Sequence, residues 1–355
     1  KLKSMEDATV EAQVFGMEVI ESRKKPGLRI VTLKITDNTD SIYAKTFIDG
    51  DDNFAEFAKK VFKDKCPYLV YGDIRDYDKL KTSILEFQPE IIIHMAAQAI
   101  VSNAENNPDE AFDINVNGIK NLLDIICNLD YVKSFVNVST DTVYFCKEKD
   151  IYYENDLIGG YNVYSKSKSD AERLLIEYKK KYNRKFFSST RCVNVIGGGD
   201  VNYSRIIPEC LNALNSGRDI IIKTPENRRP FIHVLEALYG YLCVAYNQYV
   251  GKISNDAYNF GPYEEDYVYM GDVANLFCLK NNNIISWNKK AFDKNSFLEK
   301  FICIDLVNKE IGWIPVYSFS ERLDLVLEWN KVFMSKKDII KITDEQIKNF
   351  LERVK

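Results

Sequence analysis

Two groups of residues in this chain have the types and spacing to move a proton and a hydride: Ser139-Thr140-Asp141, and Tyr164 with Lys168 four residues on. If Tyr164 begins a helix, Lys168 lies one turn further on the same face, because side chains at i and i+4 stack over each other. A phenol titrates at about 10 and is a poor base at neutral pH. A fixed ammonium lowers that value by stabilising the phenolate, and the positive charge of a bound nicotinamide adds to the effect. The hydroxyl of Thr140 can hold the same substrate oxygen that Tyr164 deprotonates. Hydroxyl, phenolate and ammonium together can take the proton of an alcohol while hydride leaves its carbon.

Tyr-x-x-x-Lys by itself also describes an ordinary helix-surface pair, so the elements around it decide. Val136 to Asp141 reads as a strand ending in polar residues, and open α/β sheets bind ligands at the carboxyl ends of their strands. Around it the pattern is regular βα alternation. Lys79 to Phe87 reads as helix, Glu90 to His94 as strand and Pro108 to Asn128 as one long helix burying Ile114, Ile119, Leu122, Leu123 and Ile126. Ser134 to Val138 is strand, Tyr164 to Tyr182 helix and Phe186 to Val193 strand. This predicts a mostly parallel sheet with helices on both faces. Further on, Arg205 to Ser216 reads as helix and Ile220 to Ile222 as a short strand. Thr343 to Val354 closes the chain as a helix, with Thr343 as its cap and Gln346 completing a capping box.

The 355 residues, 46% of them hydrophobic, suffice for a sizeable core. A formal charge of -4 gives no general pull toward nucleic acid or anionic membrane. The eight cysteines have no close pair of metal-ligand or redox spacing, so no metal is expected and the thiols read as buried in a reducing compartment. No apolar run is long enough to cross a bilayer and no leader pattern opens the chain, which makes a cytoplasmic protein the expectation.

The first 72 residues differ in kind. Val10, Ala12 and Val14 alternate, Gly16 interrupts with an expected bulge, and Leu28 to Ile35 and Ser41 to Phe47 read as two more strands. A helix over Asn53 to Val61 and the apolar run Tyr68 to Tyr71 complete the order of a small OB barrel. Val31 to Asp37 with Asp40-Ser41-Ile42 resembles the OB module of the Gram-positive replicative polymerase PolC. Over residues 1–70 basic and acidic residues number 12 each, so a nucleic-acid groove is not expected. None of the sixteen glycines forms the strand, glycine-rich turn and helix that hold a dinucleotide's pyrophosphate.

From Gly72 onward the chain resembles the extended short-chain dehydrogenase/reductases, and within them the CDP-glucose 4,6-dehydratases. The resemblance rests on Gly72-Asp73-Ile74-Arg75-Asp76, His94 to Gln98, Asn115-Val116-Asn117-Gly118, Ser139-Thr140-Asp141 and Gly159-Gly160-Tyr161 before Tyr164 and Lys168. It continues with Asn194 to Asp200, Arg229-Pro230-Phe231-Ile232-His233-Val234 and Asn259-Phe260-Gly261-Pro262. It implies an α/β fold: an incomplete Rossmann-like parallel sheet over 73–200, a small substrate-binding part over 201–335 and a C-terminal helix over 336–355, preceded by the OB-like segment 1–72. It implies NAD as cofactor, a nucleotide-sugar substrate and a homodimer paired through Pro108 to Asn128 and Tyr164 to Tyr182.

The implied roles are these. Tyr164, helped by Thr140 and Lys168, takes the C4 hydroxyl proton as hydride passes to NAD; the resulting ketone acidifies C5; Asp141 protonates the departing C6 hydroxyl; the hydride returns to C6. Asp73 and Ile74 match the adenine contact, Ala96, Ala97, Gln98 and Asn115 the cofactor cleft, and Asn194, Arg205 and Arg229 the contacts to sugar and diphosphate. His94 and His233 read as satisfied imidazoles of the fold. Two departures stand out. Thr142 occupies the place of the lysine or glutamate that removes the C5 proton, and resembles the sugar-nucleotide 4-epimerases. Val201 stands where a tryptophan is common. The absent glycine-rich turn predicts weak NAD binding and a sheet edge that a strand such as Leu28 to Ile35 would have to fill. A 4-epimerase and a non-catalytic fusion with a nucleic-acid-binding OB module are the alternative readings.

Overall fold

A computed structural model of the chain describes residues 73–145, 151–289 and 301–354 with their side chains, and upstream of them the backbone of three strands. The short apolar runs of the βα pattern form a four-stranded sheet from Ile91–His94, Ser134–Thr140, Phe187–Cys192 and Ala257–Phe260. Ser134–Thr140 lies between Ile91–His94 and Phe187–Cys192, and every pairing is parallel. Parallel neighbours need crossovers. Helices Gly118–Ile126, Val163–Lys181 and Val234–Tyr249 fall in the connections, so all four carboxyl ends open on one side.

Side chains alternate between the faces of each strand. Phe135 and Phe187 turn to one face and pack with Leu80, Ile84, Ile119, Leu123 and Leu175. Val136, Tyr258 and Phe260 turn to the other, against Leu235, Leu238, Tyr241 and Val244. Each large side chain removed from water in this way contributes about 1.5–3 kcal/mol. A third cluster joins Ile207 and Cys210 of helix Ile206–Ser216, Val273 and Phe277 of helix Met270–Lys280, and Leu323 and Val326 of helix Phe319–Met334. Cys127, Cys192, Cys210 and Cys278 are buried, whereas Cys243 and Cys303 are partly exposed.

The structure corrects the sequence reading at several points. The long helix after Pro108 is broken: Pro108–Phe112 and Gly118–Ile126 are joined by a π turn over Asp113–Asn117. The last helix is Ile339–Arg353 and starts before Thr343, because the Asp338 side chain accepts from the N–H groups of Ile340 and Lys341. Thr343 sits inside the helix, donating to the Ile339 carbonyl at 2.7 Å and accepting from Trp329 Nε1 at 3.0 Å. Gln346 donates to the Leu325 carbonyl rather than to a cap.

Upstream, Val14–Glu21, Arg29–Asp37 and Asp40–Ile48 form an antiparallel sheet in that order. The pairing runs through Gly16, opposite Lys34, without the expected bulge. Strand Arg29–Asp37 is paired on both sides, so it does not fill the edge of the parallel sheet. The expected helix Asn53 to Val61, the strand Tyr68 to Tyr71 and the closure of an OB barrel lie outside the described residues.

Candidate active site

The carboxyl ends of Ile91–His94 and Ser134–Thr140 lie side by side, with His94 opposite Asn137. Helix Val163–Lys181 begins beside them. Its start is set locally: Gly160 takes φ +63°, and a Cβ there would stand 2.4 Å from the Ser165 carbonyl carbon. Asn162 then accepts from Ser165 N–H at 2.8 Å while the Ser165 hydroxyl accepts from Asn162 N–H at 3.0 Å, a reciprocal cap. Tyr164, Lys168 and Glu172 follow at intervals of four and so share one helix face.

The Tyr164 hydroxyl lies near that of Thr140 and interacts with it. Burial pushes the phenol up to about 12; Thr140 and the charge of Arg205 oppose that rise, while the carboxylate of Asp141 adds to it. The expected direct pull of Lys168 is not what holds the phenol. Lys168 Nζ instead donates to the Val138 carbonyl at 2.7 Å, and burial lowers its ammonium to about 8 against the opposing charge of Glu172. His94 is held at about 3 by burial and by the Lys168 charge, which keeps it a neutral imidazole of the fold.

Thr140 continues directly into a 3-10 turn over Asp141–Val143. Its hydroxyl lies 3.2 Å from Asp141 Oδ1 and 3.1 Å from the Thr142 hydroxyl, and accepts from Thr142 N–H at 3.3 Å. Thr142 thus lies against the Thr140 hydroxyl, and its own hydroxyl is no base at neutral pH.

On the adjoining side the π turn presents Asn115, which grips the Met95–Gln98 loop. Its Oδ1 accepts from Gln98 N–H at 2.7 Å, and its Nδ2 donates to the Gln98 carbonyl at 3.1 Å and to the Ser167 hydroxyl at 2.8 Å. Ala96 and Ala97 lie in that loop. Ile74 packs on Gly118, where a Cβ would come within 2.5 Å of Ile74 Cγ2. The carboxylate of Asp73 is engaged by Arg75, through its backbone N–H and its guanidinium, which lowers the carboxyl below its usual range.

On the substrate side, strand Asn194–Ile196 pairs with Phe231–His233, and Asn194 Nδ2 donates to the Pro230 carbonyl at 2.9 Å. Arg205 is exposed, pairs with Asp200 at 3.1 Å and sends its charge to Tyr164. Arg229 lies in a two-residue strand paired with Val268–Tyr269. Thr140, Asp141, Tyr164, Lys168 and Arg205 are therefore brought together, while Asn115 works on the loop rather than on the phenol.

Sequence reasoning missed a buried polar network behind this group. The Ser139 hydroxyl donates to Glu172 Oε1; Glu172 Oε2 accepts from Arg191 Nη2 at 2.7 Å and Nε at 2.9 Å; Arg191 Nη1 reaches Tyr144 at 3.0 Å; and Tyr144 donates to Asn259 Oδ1 at 2.6 Å. Glu172 repeats the spacing from Tyr164 to Lys168 and was the available signal. Tyr241 and Cys192 lie buried beside each other and interact, and burial pushes the thiol up to about 12. Among the described residues no three metal-ligating side chains gather, and no helix is long and apolar enough to cross a membrane.

Comparison with known proteins follows this geometry. A sequence profile of the NAD dependent epimerase/dehydratase family matches residues 29–261, reaching upstream of Gly72 into the antiparallel strands. A CDP-glucose 4,6-dehydratase of Salmonella typhimurium is 32% identical over 292 residues, 79% of this chain and 81% of that protein. The crystal structure of a Thermotoga maritima UDP-glucose 4-epimerase with UDP-glucose superposes with a TM-score of 0.68 at 20% identity, covering 74% of this chain and 84% of that one. That of a Streptomyces venezuelae dTDP-glucose 4,6-dehydratase with NAD bound gives 0.66 at 21% identity, covering 75% and 80%. At these identities the two structures establish the Rossmann-like fold.

Proposed function

Because the chain belongs to the NAD dependent epimerase/dehydratase family, we propose that it is a 4,6-dehydratase of a nucleotide-linked glucose, with CDP-glucose as the first candidate substrate. The observation that carries this reading is Asp141, a carboxyl directly after Thr140 and 3.2 Å from its hydroxyl, where an acid for a departing C6 hydroxyl has to stand. The likeness to a CDP-glucose 4,6-dehydratase over four-fifths of its length supports it.

Apart from the missing glycine-rich turn, the described side chains are compatible with the family's cofactor. Asp73, Ile74, the loop Ala96-Ala97-Gln98 fixed by Asn115, and Lys168 would hold it along the carboxyl ends of the first two strands. When bound, NAD supplies the acceptor and later the donor of hydride. Tyr164, beside Thr140, takes the C4 hydroxyl proton. Asp141 gives a proton to the C6 oxygen. Arg205 and Arg229 bind the diphosphate, for which their planar forks are suited. Two protomers pair through helices Gly118–Ile126 and Val163–Lys181; a monomeric mass by light scattering would refute that part.

Thr142 favours a second reading, a 4-epimerase, because its hydroxyl is 3.1 Å from Thr140 and cannot remove a C5 proton at neutral pH. Incubation with CDP-glucose and NAD in deuterium oxide separates the two. The dehydratase gives a 4-keto-6-deoxy product with deuterium at C5, and the epimerase gives a C4 epimer without it. Absence of product from CDP-, UDP- and dTDP-glucose would overturn both.

A further inference from the structure

Buried ion pairs need a reason, since taking two charges out of water can consume more free energy than their attraction returns. Glu172 and Arg191 are 1% and 3% exposed, and they lie directly behind the proton-handling residues. In the sheet register Ser139 stands opposite Arg191. Glu172 reaches both: one carboxylate oxygen takes the Ser139 hydroxyl, and the other takes two Arg191 nitrogens. The residue after Ser139 is Thr140, whose hydroxyl interacts with Tyr164. On its own helix Glu172 stands one turn beyond Lys168, which is also buried, at 4% exposed.

We propose that Glu172 is a positioning residue of this active site: through Ser139 it fixes the strand end that presents Thr140 and Asp141, and it is the buried negative charge that faces Lys168. The proposal rests on the family reading for the identity of the reacting groups, and on the geometry for the role. Three charged side chains, Lys168, Glu172 and Arg191, share this interior. With Glu172 ionised they carry one net positive charge beneath Tyr164; without it they carry two, and the Lys168 ammonium is the one able to shed its proton. Burial already lowers Lys168 to about 8, and Glu172 is the group that opposes this. Arg191 is satisfied on its other side by the Glu154 carbonyl at 2.8 Å and by Tyr144, so it anchors the carboxylate from the neighbouring strand. His94, the other titratable group facing Lys168, is neutral and leaves the balance to Glu172.

The test reads the Lys168 side-chain resonance in full-length protein labelled at lysine, assigned by its loss in Lys168→Met, together with the pH profile of turnover. In Glu172→Gln the midpoint of Lys168 should fall by about one to three pH units. The alkaline side of the turnover profile should move with it, and Glu172→Asp should restore most of both. Glu172→Gln leaves Arg191 buried without its partner and can unfold the chain, so the double variant Glu172→Gln, Arg191→Gln replaces the pair by neutral side chains. Its Lys168 midpoint should also fall, but by less than in the single variant, because Glu172 is the charge that acts on Lys168 while the loss of the Arg191 charge offsets part of the change. Ser139→Ala should slow turnover while leaving the Lys168 midpoint in place. A Lys168 midpoint unchanged in the folded Glu172 variants overturns the proposal. An inactive wild type with a responsive Lys168 resonance overturns the dehydratase reading and leaves this one standing.

Discussion

Two imidazoles make the acid side of this protein's stability calculable. The whole chain has two histidines, His94 and His233, and both are buried. His94 is held at about 3 by burial and by Lys168, and His233 at about 4 by burial, with Arg322 adding and Glu236 opposing. His233 Nδ1 accepts from Leu235 N–H at 3.4 Å, so the proton that makes the ring cationic would have to sit on Nδ1 facing another donor. Unfolded histidine takes its proton at about 6.5. Below that pH the unfolded chain therefore binds more protons than the folded one, and stability falls as pH falls until the folded values are reached. Between about pH 7.5 and about pH 5 each histidine should remove about 2 kcal/mol, about 4 together, a large part of the roughly 5–15 kcal/mol that holds a domain folded. Glu154, whose carboxyl burial holds up, works in the opposite sense and trims this loss. Urea unfolding at the two pH values measures the difference. Proton NMR checks the cause, because two imidazoles give two resolvable sets of signals. An imidazole titrating near its free value in the folded protein, or a stability difference under about 1 kcal/mol, would refute the reasoning.

Further outcomes are expected. Asp141→Asn should lower formation of the 4-keto-6-deoxy product by about 100- to 10,000-fold, the range for loss of a general acid, while C4-H exchange into bound cofactor persists; an unchanged rate would remove Asp141 from the reaction. Asp338→Ala should lower the unfolding free energy by about 1 kcal/mol through loss of the cap, as read by urea midpoint, and Thr343→Ala should not act as a capping variant. Without a glycine-rich turn, NAD should bind more weakly by about two to six orders of magnitude, on two or three lost charge-assisted hydrogen bonds of roughly 1.5–3 kcal/mol each. Calorimetric titration decides this last point, and micromolar affinity would show that another segment holds the pyrophosphate.

The parts of this structure legible in the sequence are those governed by a local period. The Tyr164 helix shows in the four-residue step from Tyr164 to Lys168, and the Ser134–Thr140 strand in a short, mainly apolar run ended by hydroxyls. Features set by tertiary contact were not legible. The π turn exists where Asn115 reaches back to Gln98 and across to Ser167, 52 residues away, and no neighbouring residue announces it. Thr343 and Gln346 have the spacing of a capping box, yet Asp338 meets the helix N–H groups first and Trp329 claims the Thr343 hydroxyl. The Glu172–Arg191 pair joins a helix to a strand, and only the Lys168-to-Glu172 interval hinted at it. The pull of Lys168 on Tyr164 was expected from spacing alone, but the amine's bond to the Val138 carbonyl fixes its direction instead.

The choice between the two reactions then turns on electrostatics at one short turn. Residue 142 lies beside Thr140, so on the proposed reading a side chain there would act near C5. A carboxylate at 142 could remove the C5 proton, but it would also place a second negative charge next to Asp141 and Tyr164. Asp141 already pushes the Tyr164 phenol upward, on top of burial. A second carboxylate would raise it further and would share a proton with Asp141, as like charges in one site do. On the proposed reading, threonine avoids that repulsion and leaves Tyr164 as the base for the C4 hydroxyl, at the expense of a base for C5. On the same reading Asp141 would serve the loss of an oxygen and Thr142 would not hinder the opening of C4, so the first step common to both reactions is the one these residues would share.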